Sequence, residues 1–90
     1  MNKGELIDAV ARNTGESKAT TEKIVNETLD TIVAGVVASG KVSITGFGNF
    51  EARDRAARTG RNPQTGEEIQ VAATRVPAFK AGKAFKDAVK

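Results

Sequence analysis

Residues 53–75 read RDRAARTGRNPQTGEEIQVAATR, and the interpretation of the remaining chain depends on this stretch. Arginines separated by small residues precede an Asn-Pro-x-x-Gly sequence at residues 62–66, and an alternating run follows from Glu68. Two extended segments around such a turn are typical of a β-hairpin. Its only large apolar side chains are Ile69 and Val71, which are too few to build a core. We therefore predict an arm that projects into solvent and binds an anionic partner.

The composition describes a small chain that needs support from outside its own core. A domain of 90 residues buries only about 60% of its unfolded surface. The sequence has no cysteine and no histidine, so disulfides and ordinary zinc sites are excluded and oligomerisation is the expected support. Glu5 and Asp8 lie where a signal peptide would be apolar, and the run from Ile32 to Ala38 is too short for a membrane span. We expect a soluble, cytoplasmic protein that binds no membrane.

The charge is unevenly divided along the chain. Residues 1–40 hold 4 basic and 6 acidic side chains, whereas residues 41–90 hold 10 basic and 5 acidic side chains. A basic second half on a mildly acidic first half indicates a binding face for an anionic partner. Charge alone does not exclude the simpler interpretation, in which these side chains are scattered and solvated.

The first 40 residues carry the pattern of two helices. Asn2 followed by Glu5 is typical of a helix start, and Gly15 is expected to end that helix. Ser17 is a suitable cap for a second helix, which Gly40 closes. The second helix has an apolar stripe formed by Ile24, Val25, Thr28, Leu29, Ile32, Val33, Val36 and Val37. Because the short first helix can cover only one side of so wide a stripe, we predict that a second subunit covers the other.

The rest of the second half predicts two short strands and a final helix around the arm. Val42 and Ile44 form one strand, which a glycine turn joins to the next. The aromatic side chains lie outside the hairpin and are predicted to form core, with base stacking as the alternative; they are Phe47, Phe50, Phe79 and Phe85. Near the start of the final helix, three lysines favour phosphate binding, although solvated lysines would give the same pattern; they are Lys80, Lys83 and Lys86.

Catalysis and nucleotide binding find little support in the sequence. Without histidine or cysteine there is no imidazole base and no thiol nucleophile. Glu67 and Glu68 are adjacent, so on a strand they point to opposite faces and cannot act as a carboxylate pair. A P-loop-like sequence at residues 35–42 ends in Val42 where magnesium binding needs a hydroxyl, and its flanking helix and strand are in reversed order. The chain is predicted to be a binding protein without cofactor or metal, and not an enzyme.

Several motifs make the chain similar to a known family. Gly46-Phe47-x-x-Phe50, Asn62-Pro63-x-Thr65 and Val76-Pro77-Ala78-Phe79, together with Arg55, Arg58 and Gly60, resemble the signature of the bacterial histone-like HU proteins and of their relative, integration host factor. The resemblance covers essentially all 90 residues. It implies an α+β fold in which two chains form an intertwined dimer with a helical base, a small antiparallel sheet per subunit and extended β-ribbon DNA-binding arms.

The resemblance also implies the domain organisation and the site. Residues 1–90 would form a single domain, with a helical dimerisation part at 1–40, a sheet part at 41–90, an arm at about 53–75 and a last helix at about 82–89. The residues expected to contact DNA are Lys3, Arg53, Arg55, Arg58, Arg61, Asn62, Pro63, Arg75, Lys80, Lys83 and Lys86. Among these, Pro63 is expected to intercalate between base pairs. The expected dimer core comprises Leu29, Ile32, Val36, Phe47, Phe50 and Phe79.

The implied function is architectural binding of double-stranded DNA in the minor groove, with little sequence preference, so that DNA is bent and compacted in the bacterial nucleoid. Bent, nicked or gapped duplexes should be preferred, and RNA binding is left open. Two alternatives remain: a subunit of integration host factor that bends a specific site as a heterodimer, and an interaction module whose hairpin binds protein. Acidic residues in the arm, Asp54, Glu67 and Glu68, predict weaker or more salt-sensitive binding than in more basic relatives.

Overall fold

The computed structural model describes residues 1–90 and has the predicted α+β fold, in which two helices precede antiparallel strands and a short last helix. The chain divides into two compact units, residues 1–34 and residues 35–90, and the division falls within the second helix. The elements are α1 (Lys3–Thr14), α2 (Lys18–Ser39), β1 (Lys41–Ile44), β2 (Gly48–Arg55), β3 (Arg58–Arg61), β4 (Glu68–Val71), β5 (Thr74–Ala81) and α3 (Lys83–Ala88).

Local capping defines the helices of the first unit, as the sequence predicts. The backbone N–H of Glu5 donates to the side chain of Asn2 at 2.8 Å, which satisfies one of the free donors at the start of α1. Gly15 ends α1 in the left-handed conformation, with φ of 76° and its N–H bonded to the carbonyl of Ala11. At the start of α2, Ser17 accepts from the N–H of Thr20 at 3.2 Å.

The first unit buries few side chains. Ile7 is its buried apolar residue and Thr21 its buried polar one, each about 3% exposed. In contrast, Ile24, Leu29 and Val33 on α2 expose between 42% and 63% of their surface. The wide apolar stripe of α2 is therefore largely uncovered in the single chain. Neither long helix is apolar enough over a sufficient length to cross a membrane.

The second unit is built on a three-stranded antiparallel sheet in the order β1-β2-β5. Val42, Phe50 and Phe79 are partners across the three strands and therefore lie on one face. β5 forms an outer edge and contains Pro77, which has no N–H to donate to a further strand. The end of α2 is attached to this sheet because Gly40, at φ of 82°, accepts from the N–H of Ala52 at 2.9 Å.

The four phenylalanines cluster on the apolar face of the sheet. Ring centroids lie 4.8 Å apart for Phe50 and Phe79, and 5.4 Å apart for Phe47 and Phe85. Nevertheless, Phe47, Phe79 and Phe85 are between 37% and 41% exposed. The cluster is therefore partly open in the single chain, and the assignment of Phe47, Phe50 and Phe79 to a dimer core stays a prediction. Three strands and a helix of six residues offer too little surface to enclose four aromatic rings.

Candidate nucleic-acid interface

The arm is a continuation of the body sheet. β3 and β4 form a two-stranded ribbon, in which Arg58 is the partner of Val71. This pairing has the same register as Arg55 with Thr74 at the end of the body sheet. Between the two ladders, residues 56–57 and 72–73 are unpaired on both strands. The hairpin is therefore continuous in register but is interrupted at the base of the arm.

The tip of the arm is a compact turn at residues 62–67. The N–H of Asn62 donates to the carbonyl of Glu67, and the N–H of Gly66 donates to the carbonyl of Asn62, both at 2.8 Å. The side chain of Asn62 accepts from the N–H of Gln64 at 2.9 Å, as is typical of Asx turns. These bonds fix the backbone on both sides of Pro63, whose ring is exposed at the tip. The local structure presents a rigid apolar group at the end of the ribbon.

The two faces of the body sheet differ in chemistry. One face is apolar and carries the phenylalanine cluster. Because side chains alternate along a strand and partners share a face, the opposite face carries polar groups from all three strands. These groups are Lys41, Ser43, Asn49, Glu51, Arg53, Arg55 and Lys80. This polar face contains four positive charges and one negative charge, so it is suited to an anionic surface.

A further arginine lies beside Arg55 at the base of the arm. A concavity of about 420 Å³ at the base of the arm is lined by Arg55, Ala56, Arg58, Val71, Ala72, Thr74 and Val76. Simple alternation would place Arg55 and Arg58 on opposite faces, since they are three positions apart. Both nevertheless line this concavity, so the two arginines meet at the base of the arm. Further out, the register places Arg61 on the other face of the ribbon from Arg58, with Thr59 and Glu68.

The arginines differ in their carboxylate partners. Arg53 Nε lies 3.2 Å from Glu51 Oε2, and Arg75 Nε lies 3.6 Å from Asp54 Oδ1. Arg55, Arg58 and Arg61 are exposed and have no carboxylate within salt-bridge distance in the chain. Guanidinium groups bind phosphate oxygens in a bidentate manner and are less strongly hydrated than lysine. The three unpaired arginines are therefore available to an external anion.

The predicted contact residues outside the arm lie on several different elements. Asp54 is the partner of Arg75, which places Arg75 on the apolar side of the sheet, away from Arg53 and Lys80. Lys3 lies in the first turn of α1 and belongs to the first unit. Lys83 and Lys86 lie on α3, whose N-cap Gly82 has no capping side chain and donates its N–H to the carbonyl of Phe47.

Sequence reasoning missed Lys41, which begins β1 and shares the polar face with Arg53 and Lys80. The signal was the alternation of Lys41 and Ser43 with Val42 and Ile44, which is typical of a strand with one buried face. Ser43 and Asn49 join the same face as polar neighbours. The candidate interface is therefore a basic sheet face that continues into the arm, and not the arm alone.

The similarity to known proteins covers the whole chain. A family model described as Bacterial DNA-binding protein matches residues 1–90. The DNA-binding protein HU of Geobacillus stearothermophilus is 58% identical over 90 residues, which is 100% of both chains. The DNA-binding protein HU of Nostoc sp. is 49% identical over 89 residues, covering 99% of this chain and 95% of the relative. Among solved structures, the Anabaena HU–DNA cocrystal matches with a TM-score of 0.90 and 49% identity, covering 99% of this chain and 97% of that chain.

Proposed function

The chain belongs to the family of bacterial DNA-binding proteins, and we propose that it is a histone-like architectural protein that binds double-stranded DNA and bends it. The observation that carries this proposal is the continuous basic side formed by the body sheet and the arm. Along it, Arg55 and Arg58 have no carboxylate partner and face one concavity. The solved HU–DNA cocrystal, with a TM-score of 0.90, supports DNA as the partner.

The arm has the properties that minor-groove binding requires. The groove is about 6 Å wide and strongly electronegative where it is narrow, so it attracts arginine side chains on a thin element. The ribbon carries Arg58 and Arg61 and few large apolar side chains, so it can present these arginines to a groove that opens as the DNA bends. The exposed ring of Pro63 supplies an apolar wedge that can enter between base pairs. Unstacking a base step costs a few kcal/mol, which is offset by the additional contacts of bent DNA with the basic sheet face.

The active form is proposed to be a homodimer. The stripe of α2 and the phenylalanine cluster both expose large apolar side chains, and contiguous exposed apolar surfaces mark subunit interfaces. Covering them with a second copy would bury the side chains that the single chain leaves open. The proposed dimer core comprises Leu29, Ile32, Val36, Phe47, Phe50 and Phe79. The named relatives are HU proteins, which favours this assembly over a subunit of integration host factor.

Binding is proposed to follow the shape and flexibility of DNA. The contacts available on the basic side come from arginine and lysine, which bind phosphate and the narrow groove without a base-edge code. Nicked, gapped or already bent duplexes should therefore bind more tightly than intact ones. The protein acts in the bacterial cytoplasm, at the nucleoid, as a binder without catalytic activity.

The test is energy transfer between dyes at the two ends of short duplexes of unrelated sequence, titrated with the purified chain alone. We expect energy transfer to rise to a similar plateau on every duplex, because bending does not depend on base identity. A rise on one sequence only would favour an integration-host-factor type of function. Binding without any rise would mean that the protein coats DNA without bending it.

Replacing Pro63 by alanine is expected to lower the plateau of energy transfer by about half while the affinity changes less than about threefold, because the wedge drives the kink and phosphate contacts supply most of the affinity. Gln64→Ala is the matched control, since Gln64 is an exposed neighbour that stabilises the turn through its backbone N–H. The division of roles would be contradicted if Pro63→Ala and Arg58→Ala lost bending and affinity in equal proportion.

A further inference from the structure

Arg75 lies at a junction of three elements at the base of the arm. It is on β5, opposite Asp54 of β2, and the two side chains form an ion pair at 3.6 Å. One terminal nitrogen of its guanidinium is so close to Gly40 that a Cβ built on that glycine would be 3.3 Å from it. The guanidinium therefore lies beside Gly40, the residue that follows α2.

A cation is favoured at the end of α2, and this end is also bonded to the neighbouring strand. The carbonyl groups at the end of a helix carry partial negative charge, and α2 has no basic residue in its own last turn. Gly40 is bonded on both sides, because its N–H donates to Val36 at 2.8 Å and its carbonyl accepts from the N–H of Ala52 at 2.9 Å. A guanidinium beside both Gly40 and Asp54 thus lies between the helix end and the two strands that continue into the arm.

The position of Arg75 on the sheet separates it from the DNA-facing side chains. Its partner Asp54 is on the same face as Phe50 and Phe79, whereas Arg53 and Lys80 are on the opposite face. We propose that Arg75 is a positioning residue that holds Asp54 and the end of α2 and thereby fixes the direction in which the arm leaves the sheet. This inference rests on the proposed function, because the direction of the arm matters only if the arm binds DNA.

Asp54→Asn should change the affinity for DNA in opposite directions under the two roles of Arg75, positioning and direct contact with phosphate. If Arg75 bound phosphate, removing the neighbouring carboxylate would free it and raise the affinity for DNA. In the proposed role, Asp54→Asn loosens the same junction as Arg75→Ala, so both variants lower affinity by about threefold to tenfold. Both also lower the energy-transfer plateau at saturating protein, where affinity no longer limits the signal.

The salt dependence of the affinity for DNA gives a second way to distinguish positioning from phosphate contact. A lost phosphate contact reduces the slope of log affinity against log salt by about 0.9 per chain. We expect Arg75→Ala to leave this slope unchanged. Without DNA, amide exchange at Ala52 should become faster in Arg75→Ala and stay unchanged in Arg55→Ala, because only Arg75 lies at the helix end to which Ala52 is bonded.

Arg55→Ala also separates failure of this inference from failure of the proposed function. A shallower slope in both Arg55→Ala and Arg75→Ala, with higher affinity in Asp54→Asn, would overturn the positioning role and leave DNA binding by the arm intact. If Arg55→Ala itself changed neither affinity nor slope, the proposed function of the arm would fail, and the inference with it.

Discussion

Replacing Arg55 and Arg58 together by alanine is expected to lower the affinity for duplex DNA by about 100-fold in dilute salt. Both side chains line the concavity at the base of the arm. The arginine–carboxylate pairs of the chain are formed by Arg53 and Arg75 instead, so Arg55 and Arg58 are free to bind phosphate. A homodimer would lose two guanidinium groups per chain. The slope of log affinity against log salt should therefore become shallower by about 3 to 4.

The matched control removes the same amount of positive charge from another part of the chain. Arg12→Ala/Lys23→Ala removes two positive charges from α1 and α2, which carry neither residue of the concavity. The affinity of this control for duplex DNA, measured by fluorescence anisotropy at two or more salt concentrations, should stay close to that of the wild type. Equal loss in the two double variants would mean that total charge, and not the placement of arginines on the arm, determines binding. Unchanged affinity in the arm variant would favour the interpretation in which the hairpin binds protein.

The features that were predictable from the sequence depend on residues close together in the chain. Asn2, Ser17 and Gly40 limit the helices through bonds that span at most four residues. The turn at residues 62–67 forms through contacts within the same six residues. Once that turn is fixed, the pairing of both ladders follows from it, because turn geometry sets the register of a hairpin.

The features that were not predictable depend on contacts that a linear pattern does not encode. Alternation predicts that Arg55 and Arg58 lie on opposite faces, yet both line the concavity at the base of the arm, next to the unpaired residues. Grouping arginines by sequence also did not reveal that Arg75 pairs with Asp54, which the register places opposite it. The exposure of the phenylalanines has a related cause, because composition predicts that a side chain is buried but not which chain covers it.

Replacing Gly48 by alanine is expected to lower the free energy of unfolding by about 3 kcal/mol. Gly48 is the buried first residue of β2 and is the partner of Ala81 on β5. A Cβ at this position would be 2.5 Å from the carbonyl oxygen of Lys80 and 2.7 Å from two ring atoms of Phe79. The carbonyl belongs to the backbone of the neighbouring strand, so it can move only if the ladder between β2 and β5 opens.

Gly60→Ala is the matched control for Gly48→Ala, because Gly60 is also a strand glycine but a Cβ there would be 3.4 Å from Val71 Cγ2, which is an ordinary contact. Its stability should stay within about 0.5 kcal/mol of the wild type. Thermal unfolding at one fixed protein concentration should show a midpoint lower by roughly 15 °C for Gly48→Ala, since the stability of a dimer depends on concentration. Equal midpoints for the two variants would contradict the close approach of β5 to β2. Because the same two strands continue into the arm, Gly48→Ala should also lose DNA bending although every arm residue is unchanged.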